Sequence, residues 1–264
     1  MSDVSLETAL GSHASRRRIR AFDAVVLTLV MLALWQAVGS WTNGVAVSPP
    51  LPTLLYLVTL LRTWMFWDHA AATLTAFLMA FALSALIGLA LGLLFGLRRF
   101  AGEVAEPVLA GFYTIPKVTL YPVVLLIFGL GMSAKVAFGV MHGLVPMTLF
   151  TLGAVRNLPP VLIRTASVLR LSPGRTMRWI LVPACLPDIV NGLRISFSLS
   201  LLGVLIGEMF SSQRGLGFLL VNGMAQHNVP LSTAVVTVIV IVAIAANTLM
   251  LRLGRPRAAQ SGNE

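Results

Sequence analysis

Apolar residues along this chain fall in long unbroken runs rather than in alternating or narrow stripes. About 20 consecutive apolar residues suffice for a helix to cross a bilayer. Six stretches qualify: Phe22 to Val38, Ala70 to Leu97, Pro107 to Leu130, Ala134 to Ala154, Pro187 to Phe210 and Leu231 to Leu251. The third is the least regular, because Pro116, Lys117 and Pro122 interrupt it. A transmembrane barrel would show segments of about ten alternating residues, and these runs do not alternate. The pattern predicts an all-α polytopic membrane protein with about six transmembrane helices. No soluble domain fits between the spans.

Composition narrows the class further. Of 264 residues, 57% are hydrophobic and 11% charged, whereas a soluble domain carries about 25% charged residues. Mean hydropathy is +0.89. An ordinary soluble enzyme and an intrinsically disordered chain are both excluded. Net charge is +10. In a soluble protein that would suggest nucleic acid; here loops held on the cytoplasmic side explain it, and no nucleic-acid partner is expected.

The basic residues set the orientation. Arg16, Arg17, Arg18 and Arg20 precede the first span, and Arg98 and Arg99 follow the second. Arg156, Arg164, Arg170, Arg175 and Arg178 separate the fourth from the fifth, and Arg252, Arg255 and Arg257 follow the sixth. With six spans all of these lie on one side, which holds 14 of the 19 basic residues and is therefore expected to be cytoplasmic. The opposite loops hold little more than Arg62, Lys135 and Arg214. The expected organisation is a cytoplasmic N-terminal segment over residues 1–21, a transmembrane domain over 22–254 and a disordered cytoplasmic tail over 255–264. The apolar run after the Arg16–Arg18 cluster is long for a signal peptide and lacks a small-x-small cleavage site, so it reads as an anchor.

There is no Walker loop, no His/Cys metal spacing and no Gly-x-Ser-x-Gly elbow. The single cysteine, Cys185, excludes an internal disulfide. No cofactor, metal or catalytic group is expected in this chain.

The longest cytoplasmic loop, about 155–187, reads as two short helices. Pro159-Pro160 suits a helix start. Val161, Leu162, Thr165, Ala166, Val168 and Leu169 cluster on one side of the wheel, with Arg164, Ser167 and Arg170 opposite. Ser172-Pro173 reads as the cap and first residue of a second helix through Ile180, and Pro183 and Pro187 as the return to the membrane. Such an amphipathic helix either lies on the bilayer surface or docks in a groove on a cytoplasmic partner.

Polar residues within spans are candidates for a solute path, because burying them in lipid is costly. Lys117 either attracts an anionic substrate, or snorkels to the cytoplasmic interface or caps a helix break. Tyr113 and Asn191 are weaker candidates. His142 suits a helix–helix hydrogen bond to a carbonyl. Glu208 suits a gate, a contact to the binding protein or a solvated helix end, and Asp188 and Arg194 an interfacial ion pair or snorkelling. Gly88, Gly92 and Gly96 recur every four residues, the small-xxx-small pattern of close helix packing. Trp35, Trp41, Trp64 and Trp67 read as an aromatic belt.

The stretch Arg164-Thr165-Ala166-Ser167-Val168-Leu169-Arg170-Leu171-Ser172-Pro173, followed by Ile180-Leu181-Val182-Pro183, resembles the loop signature of binding-protein-dependent ABC importer permeases. In that signature Glu-Ala-Ala is followed by three residues, Gly, nine residues and Ile-x-Leu-Pro. Ala166, Ile180 and Pro183 match. Arg164 stands at the Glu position, Thr165 at the first Ala and Arg170 at the Gly. The resemblance covers roughly Val47 to Leu251. It takes in Ser48 to Thr53, the Gly-rich Gly88–Leu97 run, Ile115-Pro116-Lys117 through Pro122, Phe128 to Gly131, Leu193-Arg194 through Met209, and Gly215-Leu216-Gly217-Phe218. It is similar in particular to the nitrate/sulfonate/taurine branch.

The resemblance implies a type I importer fold and an inner-membrane permease subunit working as a homodimer. It also implies two cytoplasmic ATPase subunits that bind ATP and Mg, a periplasmic or lipid-anchored solute-binding protein, and a small anion such as a sulfonate or nitrate as solute. It gives Leu162, Arg164, Thr165, Ala166, Leu169, Arg170, Ser172, Pro173 and Pro183 the role of coupling to the ATPase. Arg164 reverses the family charge, which implies an acidic or neutral ATPase surface opposite it. Arg170 lacks glycine's freedom at positive φ, so a differently built turn is expected. The competing class is an ATPase-independent secondary transporter or channel, against which stands the lack of intramembrane acid pairs.

Overall fold

In the computed structural model the backbone is described for residues 3–253 and side chains for 22–250, apart from Ile163, Pro173 and Ser211. The side chains of the Arg16–Arg20 cluster and the tail 255–264 therefore lie outside the described residues. The described residues form helices joined by short turns and loops, with no strand among them.

Eleven helices follow in chain order: α1 (Asp3–Trp41), α2 (Pro50–Leu61), α3 (Trp64–Leu97), α4 (Arg99–Thr114), α5 (Tyr121–Phe128), α6 (Met132–Arg156), α7 (Pro160–Val168), α8 (Pro173–Thr176), α9 (Val182–Ser211), α10 (Leu216–Ala225) and α11 (Val229–Leu253). Among the described residues, five apolar stretches are long enough to cross a membrane: Phe22–Trp41, Trp64–Leu97, Met132–Arg156, Gly174–Phe210 and Val229–Met250. The irregular third stretch is a broken element. A 3₁₀ turn over Lys117–Leu120 separates α4 from α5, and the two segments bend by 87°. Counted as one span, the pair brings the number to six. The short apolar helices α2 and α10 lie below the length that a search for spans detects.

The chain divides into two compact units. The first holds the residues up to Leu60 together with Gly223–Ala234. In it Trp35 Nε1 donates to the Ser48 carbonyl at 2.9 Å, and the Ser48 N–H donates to Thr233 Oγ1 at 3.3 Å.

The second unit, Leu61–Asn222 and the residues from Val235 on, holds the core. There α3, α6 and α9 pack on one another. The four-residue glycine spacing is the reason α3 and α6 approach so closely. A Cβ at Gly88 would lie 2.7 Å from Met147 Cβ, and one at Gly96 2.8 Å from Val155 Cβ. Gly92 faces Thr151 in the same way. The facing residues recur with the same period of four, so one row of missing side chains receives one row of present ones. Where α9 joins them, Gly143 makes room for the hydroxyls of Ser84, Ser196 and Ser200. The Ser200 hydroxyl donates to Ser84 Oγ at 3.4 Å. An aromatic chain ties α5 to both: the rings of Tyr121 and Phe138 are 5.3 Å apart, and those of Tyr121 and Phe210 5.2 Å.

One expectation about the loop is overturned. The helix opening at Pro173 does not end at Pro183. After α8 comes a π-helical turn, Met177–Leu181, which runs directly into α9. The Val182 N–H donates to the Met177 carbonyl, five residues back. Pro183 sits where the ladder changes register, in the first turn of α9, where a missing N–H is tolerated. Pro187 lies within the same helix. A rod of helix thus leads from the loop to Ser211.

Candidate functional sites

The loop between α6 and α9 is the first site. α7 opens at Pro160 behind Pro159, as the proline pair predicts. It closes in a two-bond αL cap. The Leu171 N–H donates to the Ala166 carbonyl and the Arg170 N–H to the Ser167 carbonyl, both at 3.0 Å, with Arg170 at φ +48°. This is a Schellman motif with arginine at the residue that favours glycine. The expectation of a differently built turn is therefore corrected: Arg170 adopts the left-handed backbone itself.

The expected apolar face divides. Ala166 is buried within the subunit and Leu162 half-buried. Val161, Val168 and Leu169 face outward, with Val168 80% and Leu169 61% exposed. Arg164, Thr165, Arg170, Ser172 and Pro183 are also exposed, and the Pro173 side chain lies outside the described residues. The loop surface is thus an apolar patch ringed by arginine and hydroxyl groups. Beside it Arg156, in the last turn of α6, reaches Glu106 of α4 at 2.6 Å and Glu103 at 4.0 Å.

The path candidates do not gather at one place. Lys117 and Tyr113 meet at the break after α4: Lys117 Nζ donates to the Tyr113 carbonyl at 3.3 Å and lies 4.7 Å from the centre of its ring. This geometry caps the broken helix. His142 is buried, and its Nδ1–H donates to the Phe138 carbonyl of its own helix at 2.8 Å; the expected bond between helices is not made. Asn191 is exposed on α9. Arg194 Nε donates to Asn247 Oδ1 at 3.2 Å in place of a pair with Asp188.

Glu208 is not a solvated helix end. It is 0% exposed, near the end of α9 farthest from α7. Lys135, expected in a loop, lies in the first turn of α6, 3% exposed, with its Nζ 3.6 Å from Glu208 Oε1. Thr73 of α3 donates to Glu208 Oε2 at 2.8 Å. Three successive backbone amides at the start of α10 end on this cluster. Gly215 N–H donates to His69 Nδ1 at 3.0 Å, Leu216 N–H to Thr73 Oγ1 at 2.8 Å and Gly217 N–H to Glu208 Oε2 at 3.0 Å. Since His69 Nδ1 accepts, its ring proton sits on Nε2. The donors that a helix N-terminus leaves unpaired are thereby satisfied by three side chains. Gly215 is at φ +126°, and a Cβ there would occupy the Glu208 carboxylate. Lys135 Nζ also donates to the Arg214 carbonyl at 2.5 Å.

Sequence reasoning singled out Glu208 and missed Lys135, His69 and Thr73. The available signal was positional. In a six-span alternation the start of the second span, the start of the fourth and the end of the fifth share one side, which puts one base and one acid at a common depth.

Beside the cluster opens a cavity of about 750 Å³, whose lining includes Asp68, Thr75, Lys135, Gln213 and Arg214. Arg214 Nε and Asp68 Oδ2 are 3.7 Å apart at its rim.

The chain as a whole is similar to known proteins. Residues 84–255 match the family model described as "Binding-protein-dependent transport system inner membrane component". The chain is 28% identical over 227 residues to a probable ABC transporter permease protein of Haemophilus influenzae, covering 86% of this chain and 93% of that one. It is 26% identical over 197 residues to the taurine transport system permease protein of Escherichia coli, covering 72% of each. The fold is similar to a chain of the MetNI methionine ABC transporter in an inward-facing conformation. The TM-score is 0.63 at 19% identity, over 74% of this chain and 98% of that one.

Proposed function

Because the chain belongs to the family of binding-protein-dependent transport system inner membrane components, a family of transport permeases, we propose that it forms the path of an ATP-driven importer for a small anion, with α7 as its contact to the ATPase. Two copies enclose the path. A separate ATPase subunit docks on each copy from the cytoplasm, and a periplasmic or lipid-anchored binding protein delivers a sulfonate, nitrate or similar anion. The taurine permease among the relatives supports the sulfonate class. Both termini and the loop carrying α7 face the cytoplasm of the cell whose inner membrane holds the protein, in keeping with the distribution of arginines.

The observation that carries this reading is the exposed patch on the loop. Val168 and Leu169 present apolar surface at the end of a short helix whose angle is fixed by a two-bond cap. That is the shape of a helix-in-groove anchor, and it stands at the start of the helical rod that leads into the membrane. Arg164 and Arg170, exposed beside it, suit an acidic rim on the partner.

The test is co-purification of the full chain with candidate ABC ATPase subunits, followed by ATP turnover with and without the binding protein. A stable complex whose turnover rises with loaded binding protein supports the reading, and Leu169→Asp should then abolish assembly. Solute movement down a gradient by the chain alone, without ATPase, would overturn it.

A further inference from the structure

Lys135 and Glu208 are both almost wholly buried, at the end of the core that the proposed orientation places outermost. Charged side chains at such depth are retained only where partners compensate them. Here the compensation is directed at one segment. Lys135 holds the Arg214 carbonyl, while Glu208 holds the Gly217 amide and orients the Thr73 hydroxyl that receives the Leu216 amide. His69 takes the Gly215 amide. The backbone from Arg214 to Gly217 is thus fixed at four consecutive residues by side chains of α3, α6 and α9. Arg214 of this segment, with Gln213 just before it, lines the wall of the 750 Å³ cavity.

We propose that Lys135 and Glu208 are positioning residues: their charge pair clamps the Arg214–Gly217 backbone as one wall of the outer cavity, in the form that accepts solute from the binding protein. In this role both act through the backbone they hold: Lys135, although part of the cavity lining, is 3% exposed, and Glu208 is 0% exposed. The cavity presents Arg214 and Asp68 at its mouth, and the clamp sets where these two groups stand. This inference rests on the importer reading for its transport consequence, and on geometry alone for the clamp.

A charge clamp differs from ordinary packing in one respect. Removing one partner strands the other charge, whereas removing both leaves nothing stranded. The test uses the full chain in lipid nanodiscs and reads amide hydrogen exchange over residues 213–219. Lys135→Met should speed exchange at Gly215–Gly217 about tenfold. The double variant Lys135→Met with Glu208→Gln should return exchange to within about threefold of the wild type, because the Gln carbonyl still accepts from Gly217. In the complex with its ATPase, Lys135→Met should raise the half-saturating concentration of loaded binding protein about tenfold, more than it lowers the maximal rate, with the same rescue.

Unchanged exchange in Lys135→Met overturns the clamp. Faster exchange with unchanged half-saturation overturns the positioning role. If Lys135→Met does not accumulate, Thr73→Val is the second variant: it removes the acceptor for Leu216 and leaves both charges, so Leu216 should exchange faster while Gly215 does not. Equal change at both amides counts against the assignment. A wild-type chain that forms no ATPase complex overturns the importer reading and the transport half of this inference, and the exchange data then decide the clamp by themselves.

Discussion

The Leu171 amide donates to the Ala166 carbonyl at 3.0 Å across Arg170, which stands at φ +48°. Left-handed backbone costs a residue with a Cβ about 1–2 kcal/mol. Glycine does not bear that cost. Arg170→Gly should therefore raise stability by about 1 kcal/mol, seen as a rise of roughly 2–4 °C in the unfolding midpoint in detergent. Arg170→Val should lower it, since branched residues resist positive φ most.

Val168 and Ala166 lie two residues apart on α7 and should respond oppositely to charge. Val168 is 80% exposed, so Val168→Asp should stay within about 0.5 kcal/mol of the wild type in stability yet lose the ATPase in pull-down. Ala166 is buried. Ala166→Glu would place a carboxylate where no partner waits, and the unfolding midpoint should drop before any question of docking arises. Thermal melts run beside pull-downs separate the two.

The glycines of α3 and α4 make a second contrast. A Cβ at Gly88 would stand 2.7 Å from Met147 Cβ, whereas one at Gly111 meets nothing within 4 Å. Gly88→Ala should destabilise by about 1–3 kcal/mol through overpacking. Gly111→Ala should stabilise by up to about 1 kcal/mol, from helix propensity alone. The same melting assay reads both, and a loss at Gly111 would contradict the open space seen there.

Arg156 joins α6 to α4 through Glu106 at 2.6 Å. Glu106 keeps more than half of its side-chain surface exposed, so the pair is screened. A double-mutant cycle with Arg156→Met and Glu106→Gln should give a coupling of about 0.2–1 kcal/mol. That coupling should shrink toward zero in about 1 M salt.

The spans were legible because lipid imposes one requirement, apolarity over a fixed length, and the sequence satisfies it plainly from Trp64 to Leu97 and from Met132 to Arg156. Close helix packing along Gly88, Gly92 and Gly96 followed from the same one-dimensional logic, but that α6 receives them is seen only in the structure. What escaped was whatever depends on two segments at once. Lys135 reads as a loop residue until Glu208 is placed against it. Thr73 is one threonine among many until the α10 amides arrive. Pro183 reads as a stop because proline usually is one; the π turn before it moves the register so that its missing N–H falls at the seam. α2 and α10 are too short to cross a bilayer and carry no periodic signal of their own.

The run from Gly174 to Phe210 is 37 residues long, or about 55 Å of helix, while the hydrocarbon core of a bilayer is about 30 Å thick. One end of this run follows α7 across the Arg170 turn and the other carries Glu208, so under the proposed docking of α7 the two sites would stand at the two ends of a single lever. A tilt of a few degrees at the α7 end displaces the far end by several ångströms, with no side-chain relay in between. The π turn at Met177–Leu181, where the hydrogen-bond ladder changes register, lies at the α7 side of that lever. Stiffening this turn should therefore alter how far the stroke reaches rather than whether the partners meet.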